Sequence, residues 1–190
     1  MELDTKAIAL IIVFAALSIA LTPVAVPAVY MVGFFYRFWE IPIVAAFLLL
    51  GPKSGVTVAL LRTLAELTLF PGPLGFIGPI TALGGTLSML LGIYLADKLL
   101  KRKASQDANS GRKSVTYFAA FGGVSRMAIV PFIMYPVWRF LIPRVLSNAQ
   151  IMALVPPLML FAFTLCLYTI PVGYLIARIV SRNLAVGNRL

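Results

Sequence analysis

Residues Trp39 to Leu67 read WEIPIVAAFLLLGPKSGVTVALLRTLAEL. The first apolar run, Ile41 to Leu50, is ten residues long. At 1.5 Å per residue it makes roughly 15 Å of helix, about half the hydrocarbon thickness of a bilayer. Gly51-Pro52, a helix stop, and Lys53 follow. The next apolar run carries Arg62 and Glu66 in its interior. A helix too short to cross, beside one that is charged, needs a physical reason.

Composition sets the frame. The chain has 190 residues, 61% of them hydrophobic, and a mean hydropathy of +1.00. A soluble domain of this size cannot hide so much apolar surface, which defines a polytopic membrane protein. One cysteine, Cys166, excludes an internal disulfide. With no histidine, a zinc site, a His-based triad or a haem site is not expected. The net charge of +10 sits between hydrophobic runs, as in cytoplasmic loops, so no nucleic-acid partner is expected. The start, MELDTK, has two acids before its lysine, a poor match to a cleaved signal peptide.

Punctuation divides the chain into six helices within one transmembrane domain, 1–190. Helix one is expected from about Lys6 to Leu21, stopped by Pro23 and Pro27, and helix two over Ile41–Leu50. Helix three is expected over Gly55–Phe70, four over Leu74–Leu100, five over Val115–Ile142 and six over Ala149–Val180. No internal repeat is visible. Eleven basic residues fall on one set of connections: Lys6, Lys53, six in the loop 98–113, and Arg178, Arg182 and Arg189. The opposite connections hold Arg37, Arg139 and Arg144. Both termini and the loop 98–113 are therefore expected in the cytoplasm.

Orientation explains the short helix. With Gly51 on the cytoplasmic side, Ile41 reaches only mid-membrane, and TPVAVPAVYMVGFFYRFWE must cover the outer half without regular helix. Such backbone is tolerated in a bilayer only where protein buries it or it lines a cavity. The expected architecture is an all-α six-helix bundle whose first loop folds in as a cap over an outward-facing cavity.

Arg62, Glu66, Arg126 and Glu40 all fall near mid-depth, where ionisable groups face the interior or a cavity. They are candidate contacts for a ligand offering carbonyl, phosphate or carboxylate oxygens. A structural ion pair, Arg62 with Glu66 or Glu40, accounts for the same residues. Aromatic side chains cluster on the cap and upper helix five, and Tyr36, Trp39 and Tyr135 are candidate contacts for a ring-bearing solute; an interfacial belt is the alternative. Gly75, Gly78, Gly84, Gly85 and Gly92 read as close helix packing. Ala9, Ala16 and Ala20 form a small-residue stripe on helix one, against an internal neighbour or a separate subunit. GPKSG is not a Walker loop, so any ATP-driven work must come from another chain.

These residues together resemble a known family. Glu40-Ile41-Pro42, the apolar run, Gly51-Pro52, Gly55-Val56 and Arg62 are similar to the motif of the S components of energy-coupling factor (ECF) transporters, and look most like the riboflavin-type branch. Ala16 and Ala20 match that family's Ala-x-x-x-Ala signature. The resemblance implies high-affinity binding of a vitamin or related micronutrient, flavin first, without catalysis or cofactor. It implies docking through helix one, at Ala16 and Ala20, on a membrane scaffold subunit coupled to two cytoplasmic ATPases. Riboflavin-type members carry polar amides in upper helix five and an asparagine and a lysine in helix six. Met134, Thr169 and Val172 stand near those places, and Thr169 joins the candidate contacts. Two other readings stay open: a homodimeric secondary transporter using Glu66 or Glu40 for proton coupling, and a membrane enzyme, for which no nucleophile, base or metal constellation is found.

Overall fold

The computed structural model describes residues 5–30, 34–69, 75–103, 110–141 and 147–184. Among them are six α-helices: α1 Thr5–Ala20, α2 Glu40–Leu50, α3 Pro52–Leu69, α4 Ile77–Lys103, α5 Ser110–Pro136 and α6 Asn148–Leu184. The expected ends of helices three and five, Phe70 and Ile142, and the start of helix four, Leu74, lie outside the described residues, as do Arg144, Arg189 and 104–109 of the polar loop.

EIPIVAAFLLL is apolar on every side after its first residue, and a helix apolar all round belongs in the middle. Residues Glu40 to Leu49 are all buried, and α2 packs against α1, α3 and α6. The others form an arc around it, α1 against α3, α3 against α4, α4 against α5 and α5 against α6.

The link from α2 to α3 is one residue. Gly51 has φ 102°, a backbone that side chains rarely adopt, and its N–H caps α2 by donating to the Phe47 carbonyl at 3.0 Å. Pro52 opens α3, where its missing N–H costs nothing. A Cβ on Gly55 would stand 2.5 Å from the Phe47 Cβ, so the two helices leave the link in near contact. Glycine does the same for α4 and α5, where a Cβ on Gly92 would meet the Phe121 carbonyl oxygen at 2.3 Å.

The polarity is inverted relative to a soluble protein. Large apolar side chains stand on the outside of α1, α3, α4, α5 and α6, among them Ile12, Leu64, Phe132 and Leu160. Glu40, Arg62, Thr86 and Thr169 are inside. Three helices, Ile77–Leu100, Ser114–Phe140 and Asn148–Asn183, are long and apolar enough to cross a membrane, and α1 and α2 are shorter apolar helices. The chain is a helical membrane protein.

Two features correct the sequence reading. The segment between α1 and α2, expected without regular helix in an all-α fold, contains an antiparallel hairpin of β1 Ala25–Pro27 and β2 Phe35–Arg37, with Val26 opposite Tyr36. Three-residue strands are too short to show a two-residue alternation. Upper helix five is not α-helical throughout. After Pro131 and Pro136 it passes into a π-helical turn, Val137–Leu141. Proline has no N–H for the α ladder, and an irregular turn is the usual consequence.

Candidate functional site

The half-length of α2 leaves room above its first residue. A cavity of about 380 Å³ lies there, within the size range of small-molecule sites. Phe34, Phe35, Arg37 and Trp39 enter it from the cap, Glu40 from α2 and Glu66 from α3. Gly78, Thr81 and Gly85 belong to α4, Arg126, Val130 and Met134 to α5, and Leu158, Phe161 and Leu165 to α6.

Two close ion pairs stand at this site, with a longer third. Arg126 Nη1 donates to Glu40 Oε2 at 2.6 Å, and the Thr86 hydroxyl donates to Glu40 Oε1 at 3.0 Å. One carboxylate thus joins α2, α4 and α5. The other pair is local: Arg62 Nη1 lies 2.5 Å from Glu66 Oε2, one turn along α3. Arg62 is 0% exposed, and its guanidinium carbon stands 3.6 Å from the centroid of the Trp39 ring, a cation–π contact. None of its three guanidinium nitrogens, nor Glu66 Oε2, has a hydrogen-bond partner among the described residues, so the pair is an ionic contact. The second Glu66 oxygen is 3.6 Å from Arg37 Nη1, too far for a hydrogen bond.

The cap is tied down by side chains. Ser18 of α1 donates to the Trp39 carbonyl at 2.6 Å, and Tyr168 of α6 donates to the Arg37 carbonyl at 2.9 Å. The hydroxyls of Tyr30 and Tyr36 are hydrogen-bonded to each other, and both meet the Thr164 hydroxyl, at 2.8 Å and 3.0 Å. The Phe161 ring packs against Phe34 edge-on and against Tyr36, with centroids 5.3 Å and 5.1 Å away.

Of the eight residues singled out as ligand contacts, Trp39, Glu40, Glu66 and Arg126 line the cavity. Four do not. Arg62 lies against Trp39, Tyr36 borders a shallower recess with Val26, Phe38, Thr164 and Tyr168, Tyr135 packs on the cluster around Val137 and Trp138, and Thr169 is fully buried. The ion-pair alternative is met for Arg62 with Glu66, while Glu40 pairs with Arg126 instead. Arg37 and Phe161 are not among the candidates, and Phe34 belongs to the aromatic cluster of the cap without being singled out. The one cation within the aromatic run FFYRFWE was a usable signal for Arg37.

The glycines of α4 divide. Gly84 and Gly92 have close neighbours, as expected. Gly78, and Gly75 just before the helix, would meet nothing within 4 Å if given a Cβ. Both line the cavity. On α1 the buried residues are Ile11, Phe14, Ala15 and Ser18. Ala9, Ala16 and Ala20 are on the exposed side with Ile12, Val13 and Leu17, so no described neighbour within the chain covers them. Among the described residues no group of three or more His, Cys, Asp or Glu could hold a metal ion.

No protein-family model and no curated protein matches the chain. Among solved structures it is similar to the S component of a bacterial ECF transporter, with a TM-score of 0.73 over 94% of this chain and 97% of that one, at 20% identity. The two chains share a fold. It is the fold that the Glu40–Arg62 stretch implied.

Proposed function

We propose that the chain is the substrate-binding S component of an ECF-type uptake system. It takes a water-soluble vitamin or related micronutrient from the outer side of the membrane and does no chemistry on it. The observation that carries this reading is the cavity of about 380 Å³ above the half-length α2, with the cap segment as one wall and paired charges along its sides. Aromatic walls and a few fixed polar groups suit a small ring-bearing solute. The shared fold with an ECF S component supports it.

In this reading Trp39, Glu40, Glu66 and Arg126 are the ligand-side residues carried forward from the sequence. The exposed Ala9, Ala16 and Ala20 face docks on a membrane scaffold subunit coupled to two ATPases. Both termini are cytoplasmic. The family resemblance makes flavin the first vitamin to try. A proton-coupled homodimer is less well supported, because Glu40 is held by Arg126 and Thr86, and Glu66 by Arg62.

The test is expression with and without candidate scaffold and ATPase subunits, followed by mass spectrometry of retained small molecules. A bound vitamin and co-purification with the scaffold are expected. Uptake into vesicles by the chain alone would overturn the proposal in favour of the secondary transporter.

A further inference from the structure

The charges around the cavity do not balance. Arg37 and Arg126 line it with Glu40 and Glu66, and a third guanidinium, Arg62, lies behind Trp39 against Glu66, so three cations share two carboxylates. Glu40 is committed to Arg126 at 2.6 Å, and Glu66 to Arg62 at 2.5 Å. Arg37 has only the longer ion pair, to the other Glu66 oxygen. It lies 3.6 Å from a carboxylate already neutralised by a closer partner, and its side chain is 42% exposed.

Its position is fixed even so. The Arg37 carbonyl accepts the Tyr168 hydroxyl, and the residue pairs with Ala25 across the hairpin. With the cavity open, water solvates this guanidinium. A bound solute displaces that water, and a guanidinium that only shares a carboxylate with Arg62 is then costly to leave without a further counter-charge. The occupant itself is then the natural counter-ion.

Resting on the S-component reading, we propose that the cargo is a monoanionic, ring-bearing carboxylic acid. Its carboxylate sits on Arg37 at the cap, and its ring lies among Phe34, Trp39 and Phe161. A planar fork of donors matches a carboxylate in two-point fashion. A phosphate monoester, with about −1.5 to −2 charges, would overcompensate one guanidinium and crowd Glu66. This shifts the first choice of cargo away from neutral flavin. A phosphodiester lipid headgroup has the same single charge, and the test separates it.

Isothermal titration of the purified protein in neutral detergent is the measurement. The probes are nicotinate and nicotinamide, biotin and biotinamide, indole-3-acetate and its amide, riboflavin, and dihexanoyl phosphatidylglycerol. At least one acid is expected to bind ten or more times tighter than its amide. Arg37→Gln should bring that ratio near one, and Arg37→Lys should retain much of it. No acid preferred over its amide, tightest binding of riboflavin or of the phospholipid, or a preference that survives Arg37→Gln would each overturn the inference. Riboflavin binding with scaffold capture intact would remove this inference alone and leave the S-component reading standing. Absence of both vitamin binding and scaffold capture would remove both.

Discussion

Arg126, midway along α5, reaches Glu40, the first residue of α2, with Nη1 2.6 Å from Oε2. Residues 86 positions apart in sequence thereby fix where the central helix begins. Glu40 is 1% exposed, so removing either partner strands a charge in the interior. Glu40→Gln and Arg126→Met should each cost about 3–5 kcal/mol, read as a drop of roughly 10 °C in the Tm of the detergent-solubilised protein. The double variant should recover part of that loss. If its loss equals the sum of the two single losses, the pair is not coupled.

Leucine at Ala16 or Ala20 adds bulk on a face that no described neighbour covers. Ala16→Leu and Ala20→Leu should leave Tm and ligand binding by the isolated chain unchanged. Capture of the scaffold subunit in a pull-down should fall several-fold. Loss of stability instead would point to packing within the chain.

Gly92→Ala and Gly78→Ala make the same chemical change in the same helix with opposite expectations. At Gly92 the new methyl meets backbone atoms at 2.3–2.8 Å, so α4 and α5 must separate. Overpacking of this kind costs about 1–3 kcal/mol. At Gly78 there is open space, at the cavity wall. That variant should keep its Tm and bind ligand more weakly. Thermal melts and titrations of the two proteins side by side check both statements.

The hydroxyl cluster of Tyr30, Tyr36 and Thr164 holds the hairpin to α6. Tyr36→Phe removes one hydroxyl and keeps the ring against Phe161. Each such bond contributes about 0.5–1.5 kcal/mol, so ligand dissociation should quicken by roughly two- to tenfold with little change in Tm. Stopped-flow displacement reads the rate, and an unchanged rate would mean that the cap does not gate release.

Cys166, the protein's single cysteine, is buried, so a new cysteine can be labelled against a low background. Cysteines placed in the loop 98–113 should react with a membrane-impermeant maleimide only after the cytoplasmic face is opened. Labelling of intact cells would invert the orientation.

The boundaries legible in the sequence are those set by local chemistry. Gly51-Pro52 stopped one helix and opened the next, and the polar content of α3 marked it as facing the interior. The cap could be inferred from length alone. Its hairpin could not, because strand pairing between Ala25 and Arg37 leaves no local periodicity. The site was half legible for the same reason. Arg62 and Glu66 are one turn apart, and spacing brings them together. The partnership of Glu40 with Arg126 depends on how α2, α4 and α5 pack. In the sequence Arg37 reads as a loop charge, and only the fold of the cap turns it toward the cavity.

The single-residue link at Gly51 makes the chain its own ruler. Phe47 and Gly55, each four residues from it, are in near contact. Glu40 and Arg62 are each eleven residues away, about 16 Å along their helices, and so arrive at one level. Deleting one residue from either arm would slide its charged group by about 1.5 Å and swing it by about 100°. Spacing, more than the identity of the apolar residues between, is what a redesign of this hairpin has to preserve.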